Sequence, residues 1–160
     1  MSLTFRAVVV LRILLVLLFV ALLVGQTLSI PGQLAHLASQ SPVVAPLRWP
    51  LLIVAVLGML CGQIVIVCTW RLLSMVMADR IFSEDAFVWV NAILTALTTA
   101  WALLLATTVF LSLVLFDDPG TPMLMFGMVL AGGTVVLLMY VMRALLRQAT
   151  TLRTEMDGVI

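Results

Sequence analysis

Residues 13–30 read ILLVLLFVALLVGQTLSI and carry no charge; residues 51–70, LLIVAVLGMLCGQIVIVCTW, carry none either. Two further uncharged runs follow at 86–116 and 121–142. A bilayer core takes about 20 apolar helical residues to cross. Runs that are apolar around the whole circumference, without a polar stripe, belong to helices surrounded by lipid or protein. The pattern predicts an all-α, polytopic membrane protein. Four transmembrane helices, near 7–30, 50–77, 83–116 and 122–156, form an antiparallel bundle in one domain spanning 1–160. The first run is read as a retained helix and not as a cleaved signal peptide, because no small-x-small cleavage site follows it.

The third and fourth helices are too long for the bilayer alone. At 1.5 Å per residue each is about 50 Å long, against about 30 Å of hydrocarbon. With the DDPG turn at 117–120 pinned outside, the excess projects into the cytoplasm. The tail RALLRQATTLRTEMDGVI keeps helical spacing: Leu145, Ala149, Leu152 and Met156 share one face, and Arg143, Arg147, Thr150 and Thr154 another. Three roles fit such a stripe: packing on the protein's own helix ends, docking of a partner, or lying on the membrane surface.

Charge placement orients the chain. Arg6, Arg12, Arg71, Arg80, Arg143, Arg147 and Arg153 flank the runs on one side, and Arg48 lies on the other. The excess of arginine predicts that side to be cytoplasmic, with both termini and the 71–85 loop there. Trp49, Trp70, Trp89 and Tyr140 fall near the expected interfaces, whereas Trp101 lies deep in the third run. Apolar residues make up 64% of the chain and charged residues 9%, so no basic block supports direct nucleic-acid binding.

The charged stretch DRIFSEDAFVWVN at 79–91 is the one place where carboxylates crowd together. It could hold a metal or an acid–base pair. It also fits a helix start. Ser83 stands at the N-cap, Glu84 and Asp85 occupy the first turn where the helix dipole favours negative charge, and Phe82 and Phe87 have the spacing of a hydrophobic staple. The second reading is preferred because no further ligand is evident nearby. His36 is the one histidine, which excludes haem ligation by paired histidines and zinc sites needing two or three. Cys61 and Cys68, seven residues apart on one helix, are about 10 Å apart, too far for a disulfide. Met123, Met125, Met128, Met139 and Met142 read as flexible apolar filling, more than as thioether ligands for copper(I). No cofactor or metal is expected. The spans hold no Asp, Glu, Lys or Arg between the interfaces, unlike ion pumps and proton relays.

Neutral polar and small residues remain. Gly58 and Gly62 precede Gln63, and Gly127 with Ala131, Gly132 and Gly133 form a similar small face. Such faces let helices approach closely, and amides and hydroxyls such as Gln26, Gln63, Thr95 and Thr107 can bond across them. The face could serve this bundle, a second chain, or a lipid or small-ligand groove.

Four stretches, LRWPLL (47–52), CTWRLLSMV (68–76), RIFSEDAFVWVNAI (80–93) and the tail MRALLRQATTLRTEMDGVI (142–160), occur in this order. They resemble the bacterial membrane family called domain of unknown function 2975, in its actinobacterial form. The resemblance implies a small four-span membrane protein without established catalytic residues, whose members are often encoded beside a small helix-turn-helix regulator. It supplies no active-site residues.

Together these features lead to an expectation of a non-enzymatic protein of the bacterial cytoplasmic membrane that acts by protein contact. It would be the membrane partner of a small regulator or an accessory subunit of a membrane complex. Arg80, Glu84, Asp85, Arg143, Arg147 and Arg153 are its candidate cytoplasmic surface. Gly58, Gly62, Gln63, Gly127 and Ala131 are its candidate packing residues within the membrane, where lipid is the other partner. The alternative is a binder or carrier of a lipid, quinone or other apolar ligand, which would need a groove lined by Gln63 and the threonines.

Overall fold

The computed structural model describes residues 2–40, 42, 45–78, 84–114 and 120–158. Helix α1 (Ser2–Val24) passes through a π-helical turn (Gly25–Ser29) into α2 (Ile30–Gln40). Then come α3 (Arg48–Met77), α4 (Glu84–Val114) and α5 (Gly120–Asp157), and the described residues contain no strand. Four helical stretches are long and apolar enough to cross a membrane: Arg6–Ser39, Arg48–Met77, Asp85–Val114 and Met123–Leu152.

The first stretch runs further than the sequence pattern indicates. Pro31 and Gly32 suggest a loop from residue 31, yet the helix continues to Gln40 and carries His36 with it. Proline lacks an N–H and its ring collides with the carbonyl one turn earlier. The π turn ends two residues before Pro31, and Ile30 donates its N–H to the carbonyl of Gly25, five residues back. The wider turn loosens the backbone where the ring needs room, so the helix passes through the proline without ending. Pro50 poses no such problem. It lies in the first turn of α3, where the backbone N–H groups have no helical acceptor in any case.

The helices pack together in a row. The α1–α2 helix lies on α3, α3 on α4, and α4 on α5; among the described residues α5 touches neither α1 nor α2. Contacts fix the antiparallel order. Arg12 meets Ser74 and Gln26 meets Gln63 between α1–α2 and α3, and Trp101 meets Val129 between α4 and α5. The buried apolar residues lie mainly on α3 and α4: Cys61 and Cys68 on one, Ala86, Ile93, Leu94 and Ala96 on the other, while Ile66 of α3 is buried towards α1. Leu94 is the most enclosed of these at 2% exposure. The outer faces of α1 and α5 are lined with exposed leucines, valines and methionines, Leu17, Leu130 and Leu137 among them. In water such faces would aggregate; in a bilayer they meet lipid of their own polarity.

Candidate functional site

Three contacts between helices give this row its specific geometry. Between α4 and α5, the Trp101 indole N–H donates to the carbonyl of Val129 at 2.9 Å. The ring lies in a notch made by two glycines. A Cβ on Gly132 would stand 3.0 Å from Trp101 Cδ1, and one on Gly133 3.2 Å from Nε1. This explains a tryptophan far from either interface: its polar edge finds a carbonyl with a spare lone pair, and its body fills the glycine gap.

Between α1–α2 and α3, Gln63 Nε2 donates to Gln26 Oε1 at 3.2 Å. Gln63 is 8% exposed and is the buried polar side chain among the described residues. Gln26 belongs to the π turn, and such turns inside α-helices are frequent at functional sites. Beside it a Cβ on Gly62 would stand 3.5 Å from Leu22, and one on Gly25 3.4 Å from the Met59 methyl, ordinary contact distances. A Cβ on Gly58 or Gly127 would meet no heavy atom within 4 Å, and Ala131 is exposed. The threonines take a different part. Thr95, Thr98, Thr99, Thr107 and Thr108 each donate to a carbonyl three or four residues back in their own helix. Their hydroxyls are satisfied locally and do not bridge helices.

The third contact lies at the end of the row where α3 finishes and α4 begins. Arg12 Nη2 donates to Ser74 Oγ at 3.2 Å, and the guanidinium lies 5.3 Å from the Trp70 ring centroid. The Ser74 hydroxyl donates in turn to the carbonyl of Trp70 at 3.0 Å. The Arg71 guanidinium lies 5.6 Å from the Trp89 ring, linking α3 to the start of α4. Sequence reasoning places Arg12 only as an orienting charge. Its spacing from the first apolar run gives no hint of a partner 62 residues away.

At the same end of the row lies the candidate cytoplasmic surface. Asp85 is exposed at the start of α4 and makes an interaction of its own. Arg143 is half-buried and Arg147 exposed on α5. The antiparallel register fixed by Trp101 and Val129 brings Arg143 and Arg147 alongside the first turn of α4. Arg80, and with it Ser83, Phe82 and the proposed cap, lies outside the described residues, as do the side chains of Glu84 and Arg153. Among the described residues no group of three or more His, Cys, Asp or Glu side chains could hold a metal ion.

The tail has a clear polarity. Val136, Met139, Arg143, Leu146 and Thr150 turn away from solvent, while Leu145, Ala149, Leu152 and Met156 are exposed. The apolar stripe is therefore not packed on the protein's own helix ends: Leu152 is 61% and Met156 69% exposed.

A family model described as Protein of unknown function (DUF2975) matches residues 32–160, from α2 through the whole tail. The chain belongs to this family. The match includes the Arg71–Trp89 contact, the Trp101 notch and the amphipathic tail, while α1 and the Gln26 end of the amide pair precede it. No curated protein and no solved structure matches this DUF2975 chain.

One groove completes the membrane-level surface. It lies among α2, α3 and α4, with Met125 of α5 also in its wall, encloses about 510 Å³, and is lined by Leu34, Leu37, Val54, Gly58, Leu104 and Thr107 together with Gln33. Gly58 lacks a near neighbour because its missing side chain helps to form this space. Gln63 does not line it.

Proposed function

We propose that this DUF2975 protein is a non-enzymatic, multi-pass protein of the bacterial cytoplasmic membrane that works by protein contact, with both termini in the cytoplasm and the α5 tail as its docking face. The exposed stripe Leu145–Ala149–Leu152–Met156 carries this reading. An apolar stripe on a helix too long for the bilayer needs a cover, and the α4-facing side of the tail is a different set of residues. A small cytoplasmic regulator fits the size of a stripe about three turns long. An accessory role in a larger membrane complex would instead use the outer faces of α1 and α5.

A second reading is favoured by the groove between α2, α3 and α4. Its walls are apolar and hold few polar groups, as sites for apolar ligands do. In this reading the protein binds a lipid or quinone tail in the membrane.

One purification addresses both. The full chain, extracted in mild detergent from its native host, should bring a stoichiometric cytoplasmic protein with it. Leu152→Glu with Met156→Glu should reduce that recovery at least about tenfold, as loss of central apolar anchors does, with membrane-inserted protein unchanged. Undiminished recovery by the double variant would overturn the docking assignment. A native mass carrying one apolar molecule, lost when Gly58→Leu fills the groove, would favour the second reading.

A further inference from the structure

We infer that the cleft between α1 and α3 is a binding site for one anionic phospholipid, with the phosphate held by Arg12 and Arg71 and an acyl chain in the slot beside them. The slot is a separate space from the groove above. It encloses about 260 Å³ between Leu15, Val16 and Phe19 of α1 and Ile66 and Val67 of α3. Trp70 and Arg71 close one end. Arg12 stands one helical turn before Leu15 and Val16, and its guanidinium covers the Trp70 ring at that same end. A long apolar slot thus finishes in two cations.

The charge at this end is uncompensated along these helices. No Asp or Glu occurs before Asp79, so the charged residues of α1 and α3 are arginines alone, and Asp85 of this end belongs to α4, outside the slot. Arg12 donates to a neutral hydroxyl, and its Nε is the buried side-chain polar atom without a hydrogen-bond partner among the described residues. A guanidinium at the membrane boundary with spare donors calls for an acceptor of negative charge, and phosphate matches its fork geometry. Basic pockets between transmembrane helices hold anionic headgroups by this chemistry. Val16 and Val67, at 48% and 49% exposure, leave the slot open to lipid along its length, so a chain can enter sideways from the bilayer. A free phosphate would use the cations and leave the slot idle, which is why the occupant is assigned as lipid.

The full chain in mild detergent, titrated with phosphatidylglycerol or phosphatidylcholine and weighed by native mass spectrometry, tests the site. One phosphatidylglycerol should stay bound at several-fold lower concentration than phosphatidylcholine. Arg71→Gln should weaken its retention roughly fivefold, the effect of one basic side chain near an anionic headgroup. Val67→Trp should weaken it by filling the slot without changing charge. Val67→Trp leaves every described contact between helices in place; Arg71→Gln also gives up the Arg71–Trp89 contact, so Arg71→Lys, which keeps the charge, is run beside it and should retain the lipid. Equal retention of the two lipids, or unchanged retention by both Arg71→Gln and Val67→Trp, would overturn the proposal. Displacement of the lipid by inorganic phosphate would overturn it too, by assigning the cations to a free anion.

Discussion

Gly133→Leu should detach α5 from α4. The Cβ alone would come within 3.2 Å of the Trp101 indole nitrogen, and the rest of a leucine has nowhere to go but into the ring. The ring cannot simply swing aside, because its N–H is engaged with the Val129 carbonyl at 2.9 Å. Overpacking of a tight contact costs about 1–3 kcal/mol. A lost hydrogen bond adds about 0.5–1.5 kcal/mol. The expected destabilisation is therefore about 3 kcal/mol, read as a lower denaturant midpoint in detergent micelles. Since α5 has no other helical neighbour among the described residues, its exposure to protease should rise in step. Alanine is a poorer probe at this site. Its gain in helix propensity, about 1 kcal/mol over glycine, would offset a contact that a small shift of the ring could relieve. Two companions fix the cause. Gly127→Leu, where a Cβ meets nothing within 4 Å, should not destabilise, and its gain in helix propensity, up to about 1 kcal/mol, should leave it neutral or slightly more stable. Trp101→Ala added to Gly133→Leu should recover part of the loss, because the clash is gone. Equal damage at Gly127 and Gly133 would show that the notch is not what holds α5.

Gln26→Leu should cost more than Gln26→Leu combined with Gln63→Leu. The single change strands the amide of Gln63, buried at 8% exposure, without its acceptor. A buried donor left unmade costs about 1–3 kcal/mol, while replacing both partners by apolar groups is close to neutral. Membrane double-mutant cycles put such couplings near 0.6 kcal/mol and at most about 1.7, so the single variant should lose about 1–2 kcal/mol and the double variant less. The measurement is a double-mutant cycle on the unfolding free energy in micelles. Additive losses would mean that the amides do not depend on each other. The pair also gives the π turn a purpose, since it is the turn that carries Gln26.

Much of this architecture is legible in the amino-acid sequence, because the apolar runs are long and charge-free and lipid imposes helices on such segments. What the runs do not reveal is which face meets which helix. A helix that is apolar all round has no stripe to point at its neighbour, so the row order had to come from the structure. The glycines at 132 and 133 were visible as small residues, but their fit to Trp101 depends on a register between helices that no local pattern encodes. Gln26 and Gln63 could be singled out as polar, not paired. The threonines misled in an instructive way: a hydroxyl within reach of its own helix carbonyl takes that bond first. Pro31 looked like the end of a helix and was absorbed by a π turn one step upstream. The tail is legible as amphipathic, yet the sequence leaves its cover open, and only the exposure of Leu152 and Met156 beside half-buried Arg143 and Leu146 speaks against internal packing.

The most direct test of the contact account is site-specific photo-crosslinking in living cells. A photoreactive residue is placed singly at Leu145, Leu152 or Met156, and at Thr150 on the α4-facing side as reference. The account predicts a discrete adduct to a second protein from the three stripe positions and none from Thr150. Adducts only to lipid, or only within the chain itself, from all three stripe positions would contradict it.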